Sequence, residues 1–419
     1  MVVLAVDARG RARRIRGAAL AAAALLVSSL VVLAVVDGGG GRAVQVAVTP
    51  GQTPVEPVAE TTTAAPTSTS TSTANVTTTT VSLEPTWHGE ERLVAYVSEG
   101  ELWLYGASGR TYRITFDGDE RWEHSPKFSG RDQLTFVSSG DWGRGSTLEE
   151  IDLTTGRRRT VLASAGVIRD YDWTADRSAV GVLVSRIEGG VDADDAVGVL
   201  RAGSTEPVWL RSIGPVPGRG GFLDYDLMRV EWSPDDTKLL VVDTYADGDG
   251  SAPTLFVIRP DGSDVVAPRS GTWAVWAPDS RTVYFTSGRA FVLDTVTGGQ
   301  SQLHGIERAV RLALSSDGRL LAYDDAADEP AVYVHDLAVG ASRLLRRASL
   351  APVWWSEETL LAGRTVPCPP EELDGCLAGG HGAPWRHAGD AWEIDLGSTT
   401  ARQVALASTW DAAVQPSQA

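Results

Sequence analysis

Short runs of alternating apolar and polar residues recur along most of the chain. One unit opens with Glu101-Leu-Trp-Leu-Tyr105, passes a glycine-bearing turn, and continues through 110–115, 125–129 and 133–137. Alternation over such lengths, bounded by Gly, Asp and Ser, predicts half-buried β-strands, here four per unit. The third strand of the unit is the easiest to align. It reads Phe128-Ser-Gly-Arg, Trp173-Thr-Ala-Asp, Trp232-Ser-Pro-Asp, Trp276-Ala-Pro-Asp, Leu314-Ser-Ser-Asp and Trp355-Ser-Glu-Glu, each followed by an apolar run. The spacings are 45, 59, 44, 38 and 41 residues. Four short strands repeating every 40–45 residues predict the blades of a β-propeller.

The two ends of the repeat region supply one further unit. Ala391-Trp-Glu-Ile-Asp-Leu396 and residues 402–406 read as the first two strands of a blade without its tail; residues 87–96 read as the last two without a head. Joining them closes the ring and protects its sheet edges. The expected fold is therefore all-β, a seven-bladed propeller over residues 86–408 with a tail at 409–419, and six blades as the alternative.

Residues 17–36 depart from this pattern. They are apolar or small except for Ser28 and Ser29, and at 1.5 Å per residue they reach about 30 Å, the thickness of a bilayer core. Arg9, Arg11, Arg13, Arg14 and Arg16 precede them, which places the 1–16 tail in the cytoplasm and the rest of the chain outside. A cleaved signal peptide is the rival reading, against which stand the length of the run and the lack of an A-x-A-type site. No cysteine lies near the end of the run, so a lipid anchor is not expected. The expected location is the cytoplasmic membrane, single-pass, with the propeller extracytoplasmic.

Residues 37–85 are rich in Thr, Ser, Pro and Val, a composition that predicts a solvated, disordered stalk. Its reach is roughly 35 Å as a coil. Asn75-Val-Thr77 matches a glycosylation sequon.

Charge narrows the function. The chain carries 37 cationic and 54 acidic residues, net −17, and residues 85–419 carry 31 against 49. No basic face is available for nucleic acid. The acid clusters in connections that a propeller's antiparallel strands bring to one face: Asp117, Asp119 and Glu120; Asp192, Asp194 and Asp195; Asp247 and Asp249; Asp324 and Asp325. The two longest insertions, 212–227 and 364–390, fall on that face too. Long loops on a rigid scaffold carry binding. Solvation alone is the plain alternative for the acid. With Trp122, Trp142, Tyr245 and Trp385, these residues form the candidate binding face.

Metal and redox signals are weak. Asp247-Gly-Asp-Gly-Ser251 has two features of a calcium loop but lacks its sixth-position glycine and distal glutamate. Cys368 and Cys376, eight residues apart, are expected to pair as a disulfide outside the membrane. A zinc site adding His381 and His387 has an unusual spacing. No cofactor is expected. The chain has no G-x-S-x-G, H-E-x-x-H or phosphate loop, so it is not expected to be an enzyme. The recurring tryptophan, at one position in blade after blade, is expected to pack between blades.

Trp232-Ser-Pro-Asp and Trp276-Ala-Pro-Asp, with their flanking strands, resemble the TolB-type, WD-like propeller repeat, whose consensus runs I-Y-V-x-D, R-x-L-T, W-S-P-D-G, I-A-F. The resemblance covers 86–408. The same blades occur beside hydrolase domains in prolyl-oligopeptidase-like enzymes, so the repeat specifies fold and little else. TolB works through protein contacts in the cell envelope. The resemblance thus implies a bacterial module that binds a protein or envelope component; the membrane anchor expected at 17–36 is a departure from TolB. A glycan-binding or glycan-active propeller, with its site at the acidic mouth, is the alternative.

Overall fold

A computed structural model describes residues 87, 90, 92–115, 121–140, 145–188, 191–215, 228–243, 254–325, 329–369, 385–398, 400–406 and 412–415, by backbone alone at 186–188, 191–194 and 214–215. All of them lie in the compact unit Thr71–Ala419. They form seven four-stranded antiparallel sheets, and no described residue is helical. The innermost strands are Trp122–Phe128, Val167–Trp173, Arg229–Trp232, Trp273–Trp276, Leu312–Leu314, Ser349–Trp354 and Ala413–Val414. Among the described residues no helix is long and apolar enough to cross a membrane. Residues 17–36 and the stalk lie outside the described residues.

Each sheet is a blade, with strands a to d running outward, and seven blades close a ring. Blade 1 is built from both ends of the chain. Ala413–Val414 is its strand a, paired antiparallel with Leu93–Ser98, which is followed by Glu101–Gly106 and Thr111–Arg113. Blade 7 is complete in itself, from Ser349–Trp354 through Thr359–Pro367 and Trp385–Asp395 to Ala401–Val404.

This corrects the expected assembly of the seventh unit. The 391–396 and 402–406 segments are third and fourth strands, not first and second. The expected 87–96 segment supplies only a second strand, Leu93–Ser98, and the missing first strand sits at Ala413–Val414, beyond the expected boundary at 408. The repeat is also out of phase by two strands: the aromatic-ended segment read as third is the innermost first. Face assignments survive the shift. In an antiparallel sheet the a–b and c–d turns share one end and the b–c and d–a connections the other, and a two-strand shift exchanges members within each pair.

The aromatic at the end of strand a packs between blades, as its periodicity predicts. Seven apolar clusters occupy the joints. Trp232 joins Leu183 and Val197 of blade 3 to Leu239 and Phe256 of blade 4. Trp276 does the same one blade on, and its indole N–H donates to the Glu231 carbonyl at 3.2 Å. In blade 7 the equivalent residue is Trp354, not Trp355. Trp354 ends strand a, and its indole donates to Ala313 O at 2.9 Å across the joint.

The motif after the aromatic is a turn that closes on itself. Ser233 Oγ donates to Asp235 at 2.6 Å, and Asp235 accepts the Thr237 amide at 3.1 Å. Thr174 with Asp176 and Ser315 with Asp317 repeat the arrangement. Four residues after the aromatic the backbone turns left-handed: φ is 60° at Arg177, 58° at Asp236, 54° at Ser280 and 71° at Gly318. Only the last is a glycine. A side chain there costs about 1–2 kcal/mol, partly offset by the entropy that glycine loses on folding. Ser280→Gly is therefore expected to raise stability by about 0.5–1 kcal/mol, and Gly318→Ser to lower it, since a Cβ would stand 3.0 Å from Pro278 Cδ. Urea midpoints of the two variants check this; a destabilised Ser280→Gly would contradict it.

Candidate binding face at the channel mouth

Strand a of each blade starts at the end where the b–c and d–a connections emerge. Trp122 opens strand a of blade 2 and is 60% exposed. Its indole lies over Gly100 in the b–c turn of blade 1, about 3.4 Å from where a Cβ would stand. Gly100 holds φ +78°, so the turn calls for glycine, and the indole lies over it at ordinary contact distance. The next residue, Glu123, donates its amide to Gly100 O at 3.0 Å, fixing the strand against that turn. Beside it Arg121 reaches Thr147 Oγ at 3.0 Å and Glu149 at 3.5 Å.

Two expected face residues are turned inward. Asp195 is buried and accepts the Ser185 hydroxyl. Asp324 is buried and accepts the Arg311 amide at 2.9 Å and the Ala351 amide of blade 7 at 2.8 Å. Burial pushes the Asp324 carboxyl up, against the lowering effect of Arg311. Both hold strands instead of facing solvent. Asp325 is half-buried.

Part of the expected loop length is paired strand. In blade 3, Ala179–Glu188 and Val191–Arg201 form a long b–c hairpin that carries Asp192 opposite Ile187 and Asp194 opposite Arg186. In blade 7, strands b and c run on past the blade, pairing Thr365 with His387 and Pro367 with Trp385. Arg364 clamps Asp390 across this hairpin, through Nε at 2.5 Å and Nη2 at 3.0 Å. Trp385 is half-buried. Cys368 is buried just past strand b, and no described cysteine is free. Asp117, Asp119, Glu120, Trp142, Tyr245, Asp247, Asp249, Cys376 and His381 lie outside the described residues.

Sequence reading missed a set of charged residues on the innermost strands. The residue before the repeat's aromatic is Lys127, Asp172 and Glu231 in blades 2 to 4, and Val275, Ala313 and Val353 in blades 5 to 7. Alignment of this one position would have exposed the asymmetry. Lys127 Nζ lies 2.8 Å from Asp170, which accepts the Val230 amide of blade 4 at 2.9 Å. Asp172 accepts the Trp232 amide at 2.8 Å. Arg229 is 3.5 Å from Glu231 and stacks over Trp273 at 4.4 Å. Burial pushes the Asp172 carboxyl up to about 7; Lys127 opposes the rise and Glu231 adds to it. Burial raises Glu231 as well, against Arg229.

His124 bridges two hydroxyls near Trp122, Ser125 Oγ at 3.1 Å and Ser139 Oγ at 3.3 Å. Burial, then Arg169, pull its imidazole down to about 4, so it is neutral at physiological pH and a weak base. Among the described residues, no three His, Cys, Asp or Glu side chains are grouped to hold a metal ion.

No protein-family model matches the chain, and no curated protein does. Solved structures match it as a fold. The tricorn protease shares 10% identity at a TM-score of 0.51, over 76% of this chain and 33% of that one. A prolyl endopeptidase shares 11% at 0.51, over 75% and 49%. TolB from Acinetobacter baumannii shares 14% at 0.43, over 78% and 84%. The chain thus spans a third to a half of the two proteases' lengths, and at these identities the likeness is one of propeller fold alone.

Proposed function

We propose that the ring is an extracytoplasmic binding module, held at the cytoplasmic membrane by residues 17–36, that engages a protein of the cell envelope through its b–c and d–a face. The observation that carries this reading is Trp122. A large aromatic left mostly exposed, yet seated on a glycine turn, is a preorganised anchor of the kind that dominates protein interfaces. The projecting hairpins of blades 3 and 7 rise from the same face. The charged inner strands are engaged in pairs and in hydrogen bonds to the next blade, which suits a rigid scaffold.

The test is affinity capture from host envelope extract with the full chain in detergent as bait. Trp122→Ala is expected to weaken retention of the partner about 30-fold, the equivalent of about 2 kcal/mol. Trp209→Ala, at an exposed tryptophan on the outermost strand of blade 3, is expected to leave it unchanged. Retention indifferent to Trp122→Ala would assign binding to another face. Retained material that a soluble glycan displaces would move the reading to a glycan-binding propeller.

A further inference from the structure

The Thr115 hydroxyl, just beyond strand d of blade 1, stands between two buried carboxyl groups. Its oxygen is 2.6 Å from Glu101 Oε2 and 2.6 Å from Glu123 Oε2, and it accepts the Leu102 amide at 2.9 Å. Glu101 is 4% exposed and Glu123 is fully buried. A hydroxyl has one proton to donate and two lone pairs. The Leu102 amide occupies one lone pair, and the hydroxyl proton serves one carboxylate. The other carboxyl oxygen then faces the second lone pair, and two acceptors at 2.6 Å repel unless one of them carries hydrogen.

We infer that Glu101 and Glu123 hold one proton between them through Thr115, with Glu123 as the carboxylic acid and Glu101 ionised. Arg113 Nη2, 2.7 Å from Glu101 Oε1, favours the charge there. Among the described residues, blade 2 brings further charged groups to the pair: Arg158 from strand d, 3.5 Å from Glu123 Oε1; Glu149 from strand c, which Arg158 Nε also meets; and Arg121, which leads into strand a. Donors and acceptors then alternate around the hydroxyl: Glu123 donates to Thr115, Thr115 donates to Glu101, and Leu102 donates to Thr115.

The device joins blade 1 to blade 2 next to the Trp122 seat in the chain. Glu101 follows Gly100, on which the indole rests, and Glu123 follows Trp122 itself. Loss of the proton sets two carboxylates against one hydroxyl and loosens that seat, so the binding face is built to weaken in alkali. That consequence rests on Trp122 being the contact residue; the proton does not.

Infrared spectroscopy of the full chain with 13C-labelled glutamate separates the two. The C=O stretch of a protonated carboxyl is distinct from the carboxylate bands. Burial raises Glu231 too, so the readout is a difference: Glu123→Gln, whose amide can still donate to Thr115 and preserve the fold, is expected to remove protonated-glutamate intensity at pH 7 that Glu231→Gln leaves in place. No protonated band in the wild type, or a band undiminished in Glu123→Gln, would overturn the inference. The band is read without any partner, so a failed capture experiment and a failed proton are different results.

Discussion

Asp172→Asn is expected to make the protein more stable at pH 8, by on the order of 2–4 kcal/mol, and to change it little at pH 4. The Asp172 carboxyl is raised from an ordinary 3.8 to about 7, by burial first and by Glu231 and Asp170 in addition. Each unit corresponds to about 1.4 kcal/mol, so the rise sets a ceiling of about 4 kcal/mol. An acid raised on folding holds its proton more tightly in the native state. Its contribution is fully present below the unfolded value, near 4, and is lost as pH climbs to the folded value, near 7. Wild-type stability should fall across that window. Asparagine keeps an oxygen for the Trp232 amide, removes the charge, and leaves Lys127 its contact with Asp170. Urea unfolding at pH 4, 6 and 8 decides the matter. If the variant and the wild type differ by the same amount at all three, Asp172 does not titrate as described.

Ending the chain after residue 411 is expected to cost about 4–6 kcal/mol, and Gln415→Ala alone about 2–4. Gln415 is the clasp of the ring. Its amide donates to Leu93 O at 2.9 Å, its Oε1 accepts the Leu93 amide at 3.1 Å, and its Nε2 donates to Arg131 O of blade 2 at 2.6 Å. One side chain thus ties strand a of blade 1 to strand b and to the neighbouring blade. Alanine leaves a buried donor and an acceptor unmet, at about 1–3 kcal/mol each. Truncation also uncovers the joint where Ala412 and Val414 pack against the cluster of Val94, Tyr105 and Leu406, which adds the lost apolar burial. Denaturation midpoints of both variants test the clasp. A truncated protein as stable as the full chain would mean that two paired residues contribute nothing to closure.

The number of blades and the packing of the tryptophans were legible because one aromatic and one turn recur at the same place in each unit. The phase was not. A four-strand antiparallel repeat cut at any strand yields the same series of alternating segments; the break between strand d and the next strand a is a hydrogen-bonding fact. The closing strand, Ala413–Val414, is too short to alternate. Trp355 attracted the alignment that belongs to Trp354, since adjacent tryptophans are equivalent on paper and only one ends the strand.

On the face, the exposed Trp122 was legible as an aromatic beside an acidic loop. Asp195 and Asp324 misled. Their partners, Ser185 on the adjacent strand and Ala351 on the next blade, come into reach only when the sheets are assembled. The charged trio Lys127, Asp172 and Glu231 lay one residue ahead of the motif used to align the blades. It went unread because its members differ in sign and charge from blade to blade.

Closure by the last described residues also sets a clock on synthesis. Leu93 leaves the ribosome 322 residues before the glutamine that will cap it. At about 5–20 residues per second, that is roughly 16–64 s. Throughout that interval blades 2 to 7 can stack in order, each on its finished neighbour, while the first blade waits with an open strand edge and an uncovered apolar flank. Such an edge is a template for pairing with other chains. The nascent protein is therefore most vulnerable at its oldest blade.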